Sequence, residues 1–399
     1  MTSFREDLYP MEQPLLNIFL TTILHTDSNS IAVSTAVAMF QEIAARNETT
    51  PKLLYHRYKR GFLDLMIDMA VRNCVNHSYN LATSLHRVAK CVGYQGSRQL
   101  LHKDGNYAIC ALLPLIIKFP QARRLCNDMA ELITMDEKEM FLEYFQYICP
   151  HVLLNEEESV AKECLLLVES ITNTSVCDLM RGFFMGIFSE LMLHFHTRIV
   201  EVIKHLEVLS QFDMEYEGKF DTRENIAEYL KPRLHGVLVN LDSNLSIRSD
   251  ETVQQLALGS LAVLMEFMGA VHLTPLRYKV LGTLRTSLNF NRPGFHQLVC
   301  DAWDSFLHNI SVEALGPLIP TIFISLASLL ERRPDETSAM MEYLLIKRNK
   351  EVGEYIPELF FIDDIKVPDR IAAVVKRHIE AARPNNFEDN LSMWLKRTT

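Results

Sequence analysis

His194 and His196 flank Phe195 at a two-residue spacing. On a β-strand that spacing would put both imidazoles on one face, where they could share a metal ion. The residues around them, from Leu191 through Ile199 and Ile203 to Leu206, instead carry apolar side chains at helical intervals, and two helical neighbours of that kind point about 200° apart. The pair therefore reads as ordinary, partly buried histidines, and His205, nine residues past His196, brings no cysteine or carboxylate at ligand spacing. Two carboxylate groups could do acid–base work, one at Asp136, Glu137 and Glu139 and one at Glu156, Glu157 and Glu158. Each falls where a helix begins, and anions there complement the positive end of the helix dipole without any catalytic role. The chain has no phosphate-cradling glycine loop, no G-x-S-x-G elbow, no H-E-x-x-H helix and no kinase H-R-D and D-F-G pair. The sequence thus nominates no catalytic, cofactor-binding or metal-ligating residue.

Basic residues remain as contact candidates. Arg277 and Arg285 fall on one helix, eight apart, where they can line up as Arg277 and Lys279 cannot. Lys347, Arg348 and Lys350 cluster at a helix end, and Lys52, Arg57, Lys59 and Arg60 form an earlier basic run. Each group could meet phosphate or an acidic partner, and each also fits a solvated helix face. A net charge of −10, from 40 Lys and Arg against 50 Asp and Glu, argues against a surface built wholly for nucleic acid. The eight cysteines, at 74, 91, 110, 126, 149, 164, 177 and 300, are dispersed and include no C-x-x-C, which points to reduced thiols in an intracellular, soluble protein. The start MTSFREDLYPMEQ is acidic and lacks the long apolar run of a signal, and no membrane association is expected.

These residues have to be positioned by helices. Val253, Leu256, Ala257, Leu261, Leu264, Met265 and Met268 form one apolar stripe of period 3.6, preceded by capping residues Ser249, Asp250 and Glu251 and ended by Gly269. Thr274-Pro275 opens another helix, Pro293-Gly294 a third with Phe295, Leu298, Val299, Ala302 and Phe306, and its antiparallel partner spans about Pro317 to Leu330. A further helix begins at Asp335-Glu336. Starts at 251, 294 and 335 return at the roughly 40 to 47 residues of HEAT or armadillo units. Trp303 can lie in the core between repeats or at a partner surface, and the bulky stripe beside it favours the core. A chain of 399 residues with 48% apolar content exceeds what one compact core usually holds, whereas stacked repeats each bury their apolar face against a neighbour.

The predicted fold is therefore all-α, a HEAT-like solenoid of stacked antiparallel helix pairs. Residues 1–133 are N-terminal repeats with irregular punctuation, in which Ile31 to Val37 is strand-like by propensity alone. Residues 134–247 are further repeats. In them Thr134 with Glu137 has capping-box spacing, Pro150 marks a helix exit, Asn155 opens the next helix, a helical stretch runs from Thr174 toward Phe212, interrupted or bent around Gly182 and Gly186, and Asp221 with Glu224 caps a helix starting near 223. Residues 248–380 form the regular domain, and 381–399, with Leu391, Met393, Trp394 and Leu395, begin a truncated repeat.

Three blocks, LMEFMGAVHLTPLRYKVLGTLRTSLNF, CDAWDSFLHNISVEALGPLIP and ETSAMMEYLLIKRNKEVGEYIPELFFI, resemble the UME domain of checkpoint kinases in the phosphatidylinositol-3-kinase-related family of serine/threonine kinases. FLEYFQYICPHVLL, FSELMLHFHTRIVEVIKHLEVLSQFD and IAEYLKPRLHGVL are similar to the stretch preceding that domain. The resemblance covers about residues 135 to 395, and residues 1 to 134 more weakly. It implies a non-catalytic scaffold segment of a nuclear kinase acting in DNA-damage and replication-stress signalling. The kinase domain, with its ATP and Mg, would lie elsewhere in a longer parent, as the early Met and the end at Arg397-Thr398-Thr399 also suggest. The implied partners are an interacting regulatory subunit, a second kinase copy and, indirectly, coated single-stranded DNA. A stand-alone helical-repeat adaptor is the alternative.

Overall fold

The computed structural model describes residues 9–25, 31–73, 81–213, 218–330 and 332–348. Among the described residues every regular element is helical. The helices are α1 (Tyr9–His25), α2 (Ile31–Arg46), α3 (Pro51–Asn73), α4 (Leu81–Cys91), α5 (Ser97–Lys118), α6 (Arg124–Ile133), α7 (Glu137–Asn155), α8 (Glu158–Thr172), α9 (Val176–Gly182), α10 (Phe184–Leu193) and α11 (Ile199–Ser210). They continue as α12 (Arg223–Leu230), α13 (Leu234–Asn244), α14 (Glu251–Leu273), α15 (Arg277–Ser287), α16 (Pro293–His308), α17 (Val312–Leu315), α18 (Ile319–Leu330) and α19 (Pro334–Lys347). By contact they form two units, Met1–Asp221 with Ser246–Leu256, and Thr222–Leu245 with Ala257–Thr399.

In the first unit α3, α5, α7 and α10 pack in a row, each against the next, while α1, α4 and α6 form a second row. The first row runs parallel. Tyr55 and Lys59 of α3 meet Asp104 of α5, the Tyr144 hydroxyl of α7 donates to the Leu101 carbonyl of α5 at 3.3 Å, and Gly186 of α10 faces Gln146 of α7. A Cβ at Gly186 would fall 2.8 Å from the Gln146 Cβ, so a larger residue would push α10 off α7. The second unit repeats the scheme. The Ser305 hydroxyl of α16 donates to the Ala262 carbonyl of α14 at 2.7 Å across 43 residues, and Arg332 donates to the Leu288 carbonyl at 3.0 Å across 44. The Tyr144 to Leu101 bond of the first unit also spans 43. Helical hairpins stacked with a fixed repeat length put equivalent atoms next to each other at that separation, which is the defining property of a solenoid of helix pairs.

Local chemistry explains the boundaries and corrects several sequence expectations. Asp136, not Thr134, caps α7. Its carboxylate accepts the Glu139 N–H at 2.6 Å while Glu139 accepts the Asp136 N–H at 3.2 Å, a complete capping box. Thr134 instead ends α6 in the left-handed region at φ 61°. Pro150 lies inside α7 rather than at its exit, and α8 starts after Glu157 rather than Asn155, the last residue of α7. The helical stretch from Thr174 to Phe212 is interrupted after Gly182, as expected, and again between Leu193 and Ile199, giving three helices, with Ser175 capping the first by accepting the Asp178 N–H at 3.1 Å. Thr222, not Asp221, caps α12. Ile31 to Val37 is helical, because α2 buries Val33, Ala36, Phe40 and Ala44 along one side. Gly269 breaks α14 as expected. Its φ of +67° is one that side chains resist, and open space surrounds it, so backbone geometry alone requires the glycine.

The starts of α14, α16 and α19 at Glu251, Pro293 and Pro334 match the sequence-derived interval within a residue. Two stretches, Glu251–Ser287 and Val312–Leu330, are long and apolar enough to cross a membrane, but half or more of each apolar window is buried inside the protein, as in core helices. The end of the third resembling block, residues 349–362, and the stretch 381–399 expected to begin a further repeat lie outside the described residues.

Candidate interaction surfaces

The basic residues nominated by sequence do not converge. Arg277 is half-buried, donates through Nη1 to the Thr274 carbonyl at 2.9 Å and lies 4.6 Å from the centroid of the Tyr278 ring. Arg285, two turns later on α15, is exposed, so the two guanidinium groups are not brought together. Lys279, between them, pairs with Asp242 of α13 at 2.6 Å. Lys347 ends α19 exposed and Arg348 follows it half-buried, while Lys350 lies outside the described residues. In the early basic run Lys59 turns inward to Asp104, Arg57 pairs with Glu12 at 3.5 Å, and Lys52 covers the Tyr94 ring at 4.7 Å. Lys52, Arg57, Lys59 and Lys279 thus tie separate segments of the chain together.

His194 and His196 sit in the turn after α10, one half-buried and one exposed. No group of three or more His, Cys, Asp or Glu able to hold a metal occurs among the described residues. Trp303 is 0% exposed and stands edge-on to Phe306 at 6.4 Å, so it is a core residue.

A polar face that the sequence reading missed lies along the row α3, α5, α7 and α10. A kink at Tyr58 (φ −121°, ψ 15°) interrupts α3 just before Arg60. The Arg60 N–H donates to the Asp250 carboxylate at 3.1 Å, and the other Asp250 oxygen caps α14 through the Thr252 N–H at 2.9 Å. The Arg60 side chain is half-buried and within electrostatic reach of Asp64, Tyr107, His151, Glu190, His194 and Asp250. Glu190 of α10 in turn reaches Tyr107 of α5 and Tyr147 of α7. Burial lifts the Glu190 carboxyl from its ordinary 4.5 to about 7, with Arg60 only partly opposing the rise. Burial, with help from Arg60, lowers His151 and His194 to about 4, so both are neutral at physiological pH.

Glu190 makes stability depend on pH in a fixed direction. The folded state holds its proton more tightly than the unfolded chain, so this group's contribution is full below pH 4.5 and is lost as pH rises through about 7. A Glu190→Gln chain is expected to be more stable than the parent at pH 8, by about 1–2 kcal/mol after solvent screening at this half-buried site, and no more stable at pH 4.5. Paired urea titrations at the two pH values check it, and a gain of equal size at both would refute the assignment.

Stacked helix pairs with atoms paired across 43 or 44 residues define a helical-repeat region. Residues 229–330, from the end of α12 through α18, match the UME (NUC010) domain. The chain is similar to the serine/threonine-protein kinase ATR of Drosophila melanogaster, at 26% identity over 367 residues that cover 89% of this chain and 14% of that protein. It is thus an ATR-like region containing a UME domain, and it spans about a seventh of the length of that relative. Among solved structures, a circular tandem repeat protein with novel repeat topology and enhanced subunit contact surfaces aligns over 98% of this chain and 95% of its own, at 13% identity and a TM-score of 0.21. A likeness at that level carries no weight beside the repeat geometry itself.

Proposed function

We propose that this chain is a scaffold and interaction segment, non-catalytic by itself, of an ATR-like serine/threonine protein kinase that acts in DNA-damage and replication checkpoint signalling in the nucleus. The observation that carries the reading is the similarity to a kinase of that name through nearly the whole chain, with the UME match inside it. The stacked repeats support it physically. Within each unit successive helices of a row pack one on the next, the arrangement by which stacked repeats offer extended binding surfaces. ATP and Mg belong, in this reading, to a kinase domain elsewhere in the parent. The partners are an ATR-interacting regulatory subunit and a second kinase copy, with coated single-stranded DNA approached indirectly.

Two measurements test it. The purified 399-residue chain is expected to hydrolyse no ATP and phosphorylate no substrate, and activity surviving stringent purification would sink the non-catalytic part. In the full-length parent, deleting residues 134–347 is expected to abolish co-purification of the regulatory subunit or the second copy. Unchanged assembly would remove the scaffold role, and a transcript that reads no further than Thr399 would favour the stand-alone adaptor.

A further inference from the structure

We propose that the polar face around Glu190 is a docking site for a cationic side chain, arginine or lysine, carried by a protein segment that lies across α5, α7 and α10. Three observations carry this. Glu190 is half-buried between helices, yet among the described residues its carboxylate has no hydrogen bond or ion pair, and only the longer-range field of Arg60 acts on it. A desolvated carboxylate without a donor is costly, and a charged donor from outside would relieve it.

The second observation is the flanking chemistry. Tyr107 and Tyr147 lie on the two neighbouring helices within reach of Glu190, both half-buried. Aromatic faces beside a carboxylate suit a guanidinium or ammonium, which pairs with the acid while its flat or aliphatic part lies on a ring. The third is the local charge balance. Asp64 and Glu190 outnumber Arg60: Asp250 is 2% exposed with both oxygens bonded to backbone N–H groups, Lys59 is neutralised by Asp104, and His151 adds no positive charge because burial keeps it neutral. An anionic ligand aimed at Arg60 would meet two carboxylates, whereas a cation meets a net negative surface. The site belongs to the first unit alone and stands whether or not the parent is a kinase.

The test uses the intact 399-residue chain and two synthetic peptides, acetyl-Gly-Arg-Gly-Arg-Gly-Arg-amide and its Glu counterpart, titrated calorimetrically at pH 7.5 and low salt. The Arg peptide is expected to bind and the Glu peptide not. Glu190→Gln, which removes an unfavourable charge and so keeps the fold, is expected to weaken Arg-peptide binding at least tenfold. Glu207→Gln, an identical charge change at an exposed position on α11, should alter it less than twofold. Tyr147→Phe should retain binding, since the ring face remains, and Tyr147→Leu should weaken it severalfold. No Arg-peptide binding, equal losses in the two Gln variants, or spermidine binding as tightly as the peptide would each overturn the proposal.

Discussion

An Asp104→Ala chain is expected to lose about 3–5 kcal/mol of stability, the usual cost of removing one member of a buried ion pair. Asp104 is 1% exposed, and its carboxylate accepts from Lys59 Nζ at 2.9 Å and from the Tyr55 and Tyr94 hydroxyls at 3.2 and 3.1 Å. The donors come from α3 and from the residues just after α4, so a single acceptor on α5 ties three successive stretches of the first unit. Truncation leaves a buried ammonium with no counter-ion and two hydroxyls with no acceptor, whereas the Coulomb attraction alone would account for far less. The double variant Lys59→Met with Asp104→Leu should recover most of the loss, because matched apolar groups remove the desolvation cost of both charges. Urea titration of the three chains at pH 7 decides it, and a loss under 1 kcal/mol for Asp104→Ala would show that water or a neighbour already compensates the charge.

The repeat and the polar face differ in how far the sequence exposes them, for a physical reason. Hydrophobic stripes and helix breaks are local: Val253 to Met268, the Pro at 293 and the Pro at 334 sit within a few residues of the boundaries they set, and the interval between helices follows. Cap identity is local too, but Thr134 and Asp136 are both good capping residues two positions apart. Only the turn geometry, with Thr134 left-handed and Asp136 extended, chooses between them. The polar face is non-local. Arg60, Tyr107, Tyr147 and Glu190 stand 47, 40 and 43 residues apart, and no window of sequence holds two of them. Their spacing is the repeat length itself, so it carries information only once the stacking register of α3, α5, α7 and α10 is known. Lys59 and Asp104 are hidden for a different reason: a charged residue on a helix is most often solvated, and composition cannot tell the buried exception.

Trp303→Ala is the second large effect, expected to cost about 3–5 kcal/mol. Trp303 lies on α16 with no exposed surface, edge-on to Phe306, and α16 packs between α15 and α19. A solenoid has no central core to redistribute the damage, because each repeat is stabilised by its two neighbours alone. The cavity should therefore loosen α15, α16 and α19 selectively, raising amide hydrogen exchange there while α3, α5 and α7 of the first unit keep their protection. Trp303→Phe is expected to cost much less. It retains a ring against Phe306, and it also removes an indole N–H that is buried without an acceptor, which offsets part of the lost contact area. Hydrogen exchange read by mass spectrometry on the two variants separates local from global destabilisation. If Trp303→Ala lowered protection evenly from α1 to α19, the chain would be folding as one cooperative globule, and the nearest-neighbour logic that makes it useful as a spacer would fail with it.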